Sequence, residues 1–286
     1  MKSTTKIWLG VGLFVTGTAT ALPQGTTPAA TNVVPHDRGL RADAVRAPAT
    51  AHLILAQHAM PAGGEAGEAG VLADLPPDFQ FALTLALIRG HLLVGDELVK
   101  AEQWDAAMPH FLHPTEELYG GIKDKVADYG TPPFDSALLK LADAVKQKTS
   151  ADYAAALQPV MAALAAGDGG LKAKERDWPS FVMATAIMAL KAAANEYEGA
   201  IVKGRIAKPV EYQDSRGFVW QAERMIDSVA SELGRKDANA LKTVQSRLAQ
   251  LKKVWPAAVP PKVPVQSAAA VAADVAAIQK ASAKLM

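Results

Sequence analysis

From Asp78 onward, apolar residues return every three to four positions in long runs, and each run stops at a glycine, proline or polar cluster. That spacing puts the apolar side chains on one face of an α-helix. Runs are expected over 78–101, 104–128, 134–148 and 151–166, then over 179–203, 209–233, 237–254 and 267–285. No segment shows the alternating β-branched pattern of a strand. The fold class expected is therefore all-α, with short connections that favour antiparallel bundles.

The two sets of four runs match in order and approximate length. "ELVKAEQWDAAMPHF" (97–111) and "AIVKGRIAKPVEYQD" (200–214) both place Val-Lys at the end of a first helix, then a tight turn, then a second helix. The expectation is a duplicated pair of four-helix units, about eight helices in all. The first unit covers 78–166, a linker 167–178 and the second unit 179–286, with "GDGGLKAKERDWP" as the connection.

The N-terminus has a different character. Lys2 and Lys6 precede an apolar run from Ile7 to Val15 and an A-x-A pair at Ala19 and Ala21, the pattern of a cleaved secretory signal peptide over 1–21. The run is far shorter than the roughly 20 residues a membrane span needs. A mature chain cut near Ala21-Leu22, without a transmembrane span and periplasmic or secreted, is expected. Residues 22–77, rich in Ala, Gly, Pro and Thr, read as a disordered low-complexity leader. Within it, His52, His58 and Met60 are read as chance ligands on a mobile segment. Thirty Lys and Arg against 29 Asp and Glu give a formal charge of +1, so no bulk field recruits nucleic acid. The absence of cysteine removes disulfides and thiolate ligands, so any metal must be held by His, Asp, Glu, Tyr or Met.

Several ionisable residues fall on faces that should be apolar. His91 sits in the stripe of Leu87, Ile88, Gly95 and Leu98 and should point inward, either as a hydrogen-bonded core histidine or as a ligand. In "PHFLHPTEELYGGI" (109–122), His110, His113 and Glu117 stand at i, i+3 and i+7, with Glu116 three residues after His113. Imidazole and carboxylate together suit iron, zinc or copper. Pro109 and Pro114 predict a kink; the alternative is a new helix at Pro114 whose positive end Glu116 and Glu117 complement. In the second half, Glu211 and Asp214 share the stripe of Phe218, Ala222 and Met225, and Glu196 or Glu198 can approach Glu211 across a hairpin. Buried carboxylates need neutralising by a proton, a cation or a metal. The competing structural reading is a network of Tyr212, Arg216 and Glu223 that fixes helix packing.

Two stretches resemble known families. "FLHPTEELYGGI", with His113-x-x-Glu116 followed by Leu118-Tyr119-Gly120, is similar to the HxxE signature of imelysin-like proteins, although Pro114 lies inside it. That resemblance implies an exported, duplicated helical bundle linked to iron uptake, with His113 and Glu116 as metal-site candidates. "NEYEGAIVKGRIAKPVEYQD" resembles the extracytoplasmic helical region of bacterial permeases of the ferrous-iron-transporter type, where Glu-Tyr pairs recur on either side of a glycine turn. Here those pairs are Glu196-Tyr197 and Glu211-Tyr212. Together the resemblances imply iron or another divalent or trivalent metal as ligand, and an inner-membrane metal permease as partner.

The reading reached is a periplasmic metal-binding protein of iron or copper handling, with no catalytic residues. The alternative is an exported scaffold like tetratricopeptide repeats, since "LLVGDELVKAEQWDAAMPHFLHP" carries that module's spacing of small and aromatic residues. A helical hydrolase using paired carboxylates is the third reading. The chain has no HExxH, no cysteine and no G-x-S-x-G elbow, and is expected not to be an enzyme.

Overall fold

The computed structural model describes Leu72 and residues 74–286. The signal peptide, the leader up to Gly70 and the ligand-type residues His52, His58 and Met60 lie outside the described residues. Helix α1 runs Pro77–Lys100, with Pro77 at its first position and Asp78 in its first turn. Then come α2 (Trp104–His113), a π-helical turn (Pro114–Leu118) and the short α3 (Tyr119–Ile122). Helices α4 (Asp135–Lys146) and α5 (Ser150–Lys174) follow. The second half holds α6 (Trp178–Ala200), α7 (Pro209–Ser228), α8 (Ala230–Leu251) and α9 (Ala268–Ser282). The all-α expectation is met, and no described helix is long and apolar enough to cross a membrane.

Several boundaries differ from the sequence reading, among them the run expected over 209–233, which ends at Ser228 with the next helix starting at Ala230. The run expected over 104–128 breaks at Pro114, which has no N–H to give the carbonyl four residues back. The chain widens there into a π-turn, closed by a bond from the Tyr119 N–H to the Pro114 carbonyl. The expected linker over 167–178 is helical as far as Lys174. Its glycines serve packing, since a Cβ on Gly170 would lie 1.8 Å from the Tyr129 carbonyl oxygen. All described residues belong to one compact unit, so no separation into two bodies falls at that point. Finally, α6 stops at Ala200, short of 203. A minimal antiparallel hairpin, β1 (Ile201–Val202) and β2 (Arg205–Ile206), follows it, and Lys203 and Gly204 at φ +52° and +73° make the tight turn.

In α8, Asp237 leaves helical geometry and its carboxylate accepts the Ala240 N–H. It thereby caps the segment that the sequence places from 237 onward.

Helices α1, α6 and α7 form the centre of the body. Leu83, Leu85, Leu87 and Ile88 on α1 are all fully buried, as are Met183, Ile187 and Leu190 on α6 to within 1 %. Helices buried this completely are apolar on more than one stripe because neighbours enclose them. Helix α2 packs on α1 and α4, and α9 packs on α6 and α8.

The crossing of α1 and α7 is set by two glycines. A Cβ on Gly217 would meet the Gly90 carbonyl oxygen at 2.2 Å, and one on Gly90 would meet the Phe218 ring at 2.4 Å. Side chains larger than hydrogen would hold the two backbones apart. Gly217→Ala should therefore lower stability by about 1–3 kcal/mol in chemical denaturation, the usual cost of overpacking a filled core. Gly121→Ala meets nothing within 4 Å in α3 and should be neutral or mildly stabilising.

Candidate metal centre

One residue past Gly90, His91 projects from α1 toward α7, and three residues before Gly217, Asp214 projects from α7 toward α1. The close crossing brings the His91 Nδ1 within 2.6 Å of the Asp214 Oδ1. His110 from α2 reaches the same oxygen through its own Nδ1 at 2.7 Å. Helix α2 can come this near because Gly95 on α1 leaves room for Phe111 and for the His110 Cβ, which would stand 3.3 Å from a Cβ there. Both imidazoles are fully buried and Asp214 is 2 % exposed. The donor atoms of His91, His110 and Asp214 all lie within 4.8 Å of one another, a grouping that can hold a metal ion.

A second layer lies toward solvent. The His113 Nδ1 stands 3.6 Å from the Asp214 Oδ2, and its Nε2 is 3.8 Å from the Glu117 Oε1. Their side chains are 18 % and 21 % exposed, so they form the rim over a dry floor. The His91 ring also meets His113 and Phe218 edge-on. On the other side, the His110 Nε2 lies 3.0 Å from the Gln213 Oε1. Nδ1 donates to Asp214; with Nε2 held by that amide, loss of the Nδ1 proton would turn its lone pair toward a cation, the arrangement by which an outer partner orients a ligating histidine.

Burial would push the Asp214 carboxyl up. The charges of His91 and His110 and the hydrogen bonds from His110 and His113 outweigh it, and hold the group well below the usual carboxylate range. His113 is shifted up: burial disfavours its charged form, but the hydrogen bond to Asp214 and the charges of Asp214 and Glu117 prevail over burial and His91.

The sequence candidates are thus regrouped. His91, His110, His113 and Glu117 from the first half meet Asp214 from the second. Glu116 is exposed and leaves the expected His113–Glu116 pair unmade. In a π-turn bonded i→i+5, a turn holds more than four residues, so the residue four ahead of His113 comes beside it. Glu211 pairs with Lys208 at 3.0 Å at the start of α7, Glu198 is exposed, and Glu196 is buried on α6; none of the three belongs to the grouped donors.

The expected Tyr212–Arg216–Glu223 network is corrected too. Arg216 binds Glu97 with two bonds of 2.9 and 3.0 Å and donates to the Trp255 carbonyl, Tyr212 donates to the Ala257 carbonyl, and Glu223 pairs with Lys252. Sequence reasoning missed Gln213 and Glu97. Gln213 adjoins Asp214 but lies 100° around the helix from it, and Glu97 is one of several acids on the more polar side of α1.

In metal-free protein, Asp214→Asn should lower the unfolding free energy at pH 6 by about 1–3 kcal/mol, because the buried imidazoles lose a charged acceptor. A lowered folded-state value means that the carboxylate's stabilisation is complete above the ordinary value of 3.8 and fades as pH falls through the lowered one. The gap between native and variant, measured by denaturation from pH 6 to pH 2, should therefore close only on the acid side. The raised His113 has the opposite sign. Its stabilisation is complete below 6.5 and is lost as pH rises through its folded value.

Residues 172–286 match the family model of the iron permease-associated 4-helix bundle domain. No curated protein and no solved structure matches the chain. The match spans α6 to α9 and contains Asp214, while His91, His110 and His113 precede it. The second sequence resemblance is therefore supported at the level of a permease-associated helical bundle, and the candidate centre is assembled across the edge of the matched region.

Proposed function

We infer that the protein binds a metal ion as cargo, in the setting of an iron permease system and outside the cytoplasm. The observation that carries this reading is the convergence of the His91 and His110 Nδ1 atoms on one buried Asp214 oxygen. Three buried ionisable groups on three helices cost more to enclose than an apolar core would, and a cation taking the place of the shared protons gives that cost a purpose. The donor set is nitrogen and oxygen only, which suits ferric or ferrous iron, copper(II) or zinc. The match to an iron permease-associated bundle favours iron, and the signal-peptide pattern favours the periplasm, beside an inner-membrane permease.

In this reading His91, His110 and Asp214 are the floor of the site. His113 and Glu117 at the rim take the ion from water and pass it inward, as their partial exposure allows. The imelysin-like resemblance contributes His113, while Glu117 takes the part that the HxxE spacing gives to Glu116. The protein acts by binding, with no catalytic role for these groups.

The test is calorimetric titration of the untagged mature chain with iron, copper(II) and zinc. One ion per chain is expected, with a rise in melting temperature, because a ligand that binds only the folded state stabilises it. His110→Ala should abolish binding, Glu117→Ala should weaken it about 10-fold or more, and Glu116→Ala should leave it unchanged. Equal binding by native protein and a folded His91→Ala/His110→Ala variant would overturn the reading.

A further inference from the structure

Helices α1, α5, α6 and α7 line an open cavity of about 290 Å³ that none of the histidines borders. Its walls include Trp178, Phe181 and Val182 from α6 and Met225 from α7, and the small side chains of Ala82 and Ala86 on α1 leave the space open. The volume is at the small end of the range that ligand pockets occupy, and apolar walls with few polar groups are the usual lining.

The charged groups of the lining are Arg89, Asp168 and Arg224. Arg89 on the wall is taken up by Asp168, with two bonds of 2.6 and 3.2 Å, so that pair is neutral. Arg224 also lines the cavity and is exposed. Among the described residues it makes no ion pair, which leaves the cavity one uncompensated positive charge. Beside it on α7 is Gln221, 5 % exposed and lining the same space. Its amide makes no hydrogen bond to protein among the described residues and keeps contact with solvent, so it is free to meet a ligand at the cavity. Neither residue is part of the candidate metal centre.

We propose that this cavity is a binding site for a small organic monoanion with an apolar or aromatic body, whose carboxylate is held by Arg224 and Gln221 at the mouth and whose body lies against Trp178, Phe181 and Met225. An arginine fork and an amide N–H are suited to a carboxylate's two oxygens, and the apolar walls reward the rest of the ligand by burial. The neutral Arg89–Asp168 pair keeps the wall polar without adding a second site for an anion. The requirement for one negative charge distinguishes this ligand from the cation bound at the histidines.

The test is titration of the full chain with 1-naphthoate and with the uncharged 1-naphthylmethanol. Native protein should bind one naphthoate per chain. Arg224→Glu, a change at an exposed residue without an ion-pair partner, should weaken naphthoate about 10-fold or more, leave naphthylmethanol nearly unchanged, and leave metal titration unchanged. Met225→Trp, which fills the space, should block both compounds in a protein whose circular dichroism is native. Absence of saturable binding, equal naphthoate affinity in Arg224→Glu, or undiminished binding in Met225→Trp would overturn the proposal.

Discussion

The contact between Gly90 and Gly217 governs how near α1 and α7 can lie, and most of the polar chemistry depends on that distance. His91 and Asp214 flank the contact on one side. On the other, Arg216 reaches across to the two oxygens of Glu97. Neither pair would close if the helices stood apart by the width of a methyl group. The interior is packed too tightly to absorb such a wedge elsewhere. Two residues with no side chain therefore do more to define the candidate centre than any single ligand does.

The surroundings of α7 follow from the same closeness. Five successive residues, Tyr212 to Arg216, are buried, and each is hydrogen-bonded: in order to the Ala257 carbonyl, to His110, to His91 and His110, to the Ala193 carbonyl, and to Glu97 and the Trp255 carbonyl. A helix with one buried stripe could not do this, because consecutive side chains point 100° apart. At this level α7 is enclosed by α1, α2, α6 and the segment after α8. Polar residues are tolerable there only because each is satisfied.

That enclosure explains what was legible in the sequence. The helical runs, the inward direction of His91 and the place of Asp214 on an apolar stripe follow from periodicity, which reports local geometry well. The joining of His91 and His110 to Asp214 depends on which helices neighbour one another, and no stripe carries that. "QDSR" reads as a polar stretch with one buried member when only one face is assumed to be covered. Pro114 announces a disturbance, but whether the chain kinks, restarts or widens is decided by the packing of α2 and α3, and that choice moved the rim carboxylate from Glu116 to Glu117. The glycines of 167–170 look like a linker because glycine marks both flexible joints and close contacts, and the Tyr129 carbonyl over Gly170 settles the ambiguity in favour of contact.

The groups around Asp214 also differ in what they can do for an ion. His91 and His110 are cut off from water, so an ion held there would have exchanged most of its hydration for protein donors, a trade that favours cations bound strongly by imidazole over those that prefer oxygen and water. His113 and Glu117 keep contact with solvent and can meet an ion that is still partly hydrated. A site graded in this way would lower the cost of entry for a cation, since water would be removed in steps as donors replaced it. The carboxylate at the bottom is already ionised, because its imidazole neighbours hold it so. A cation arriving there would therefore have only imidazole protons to displace.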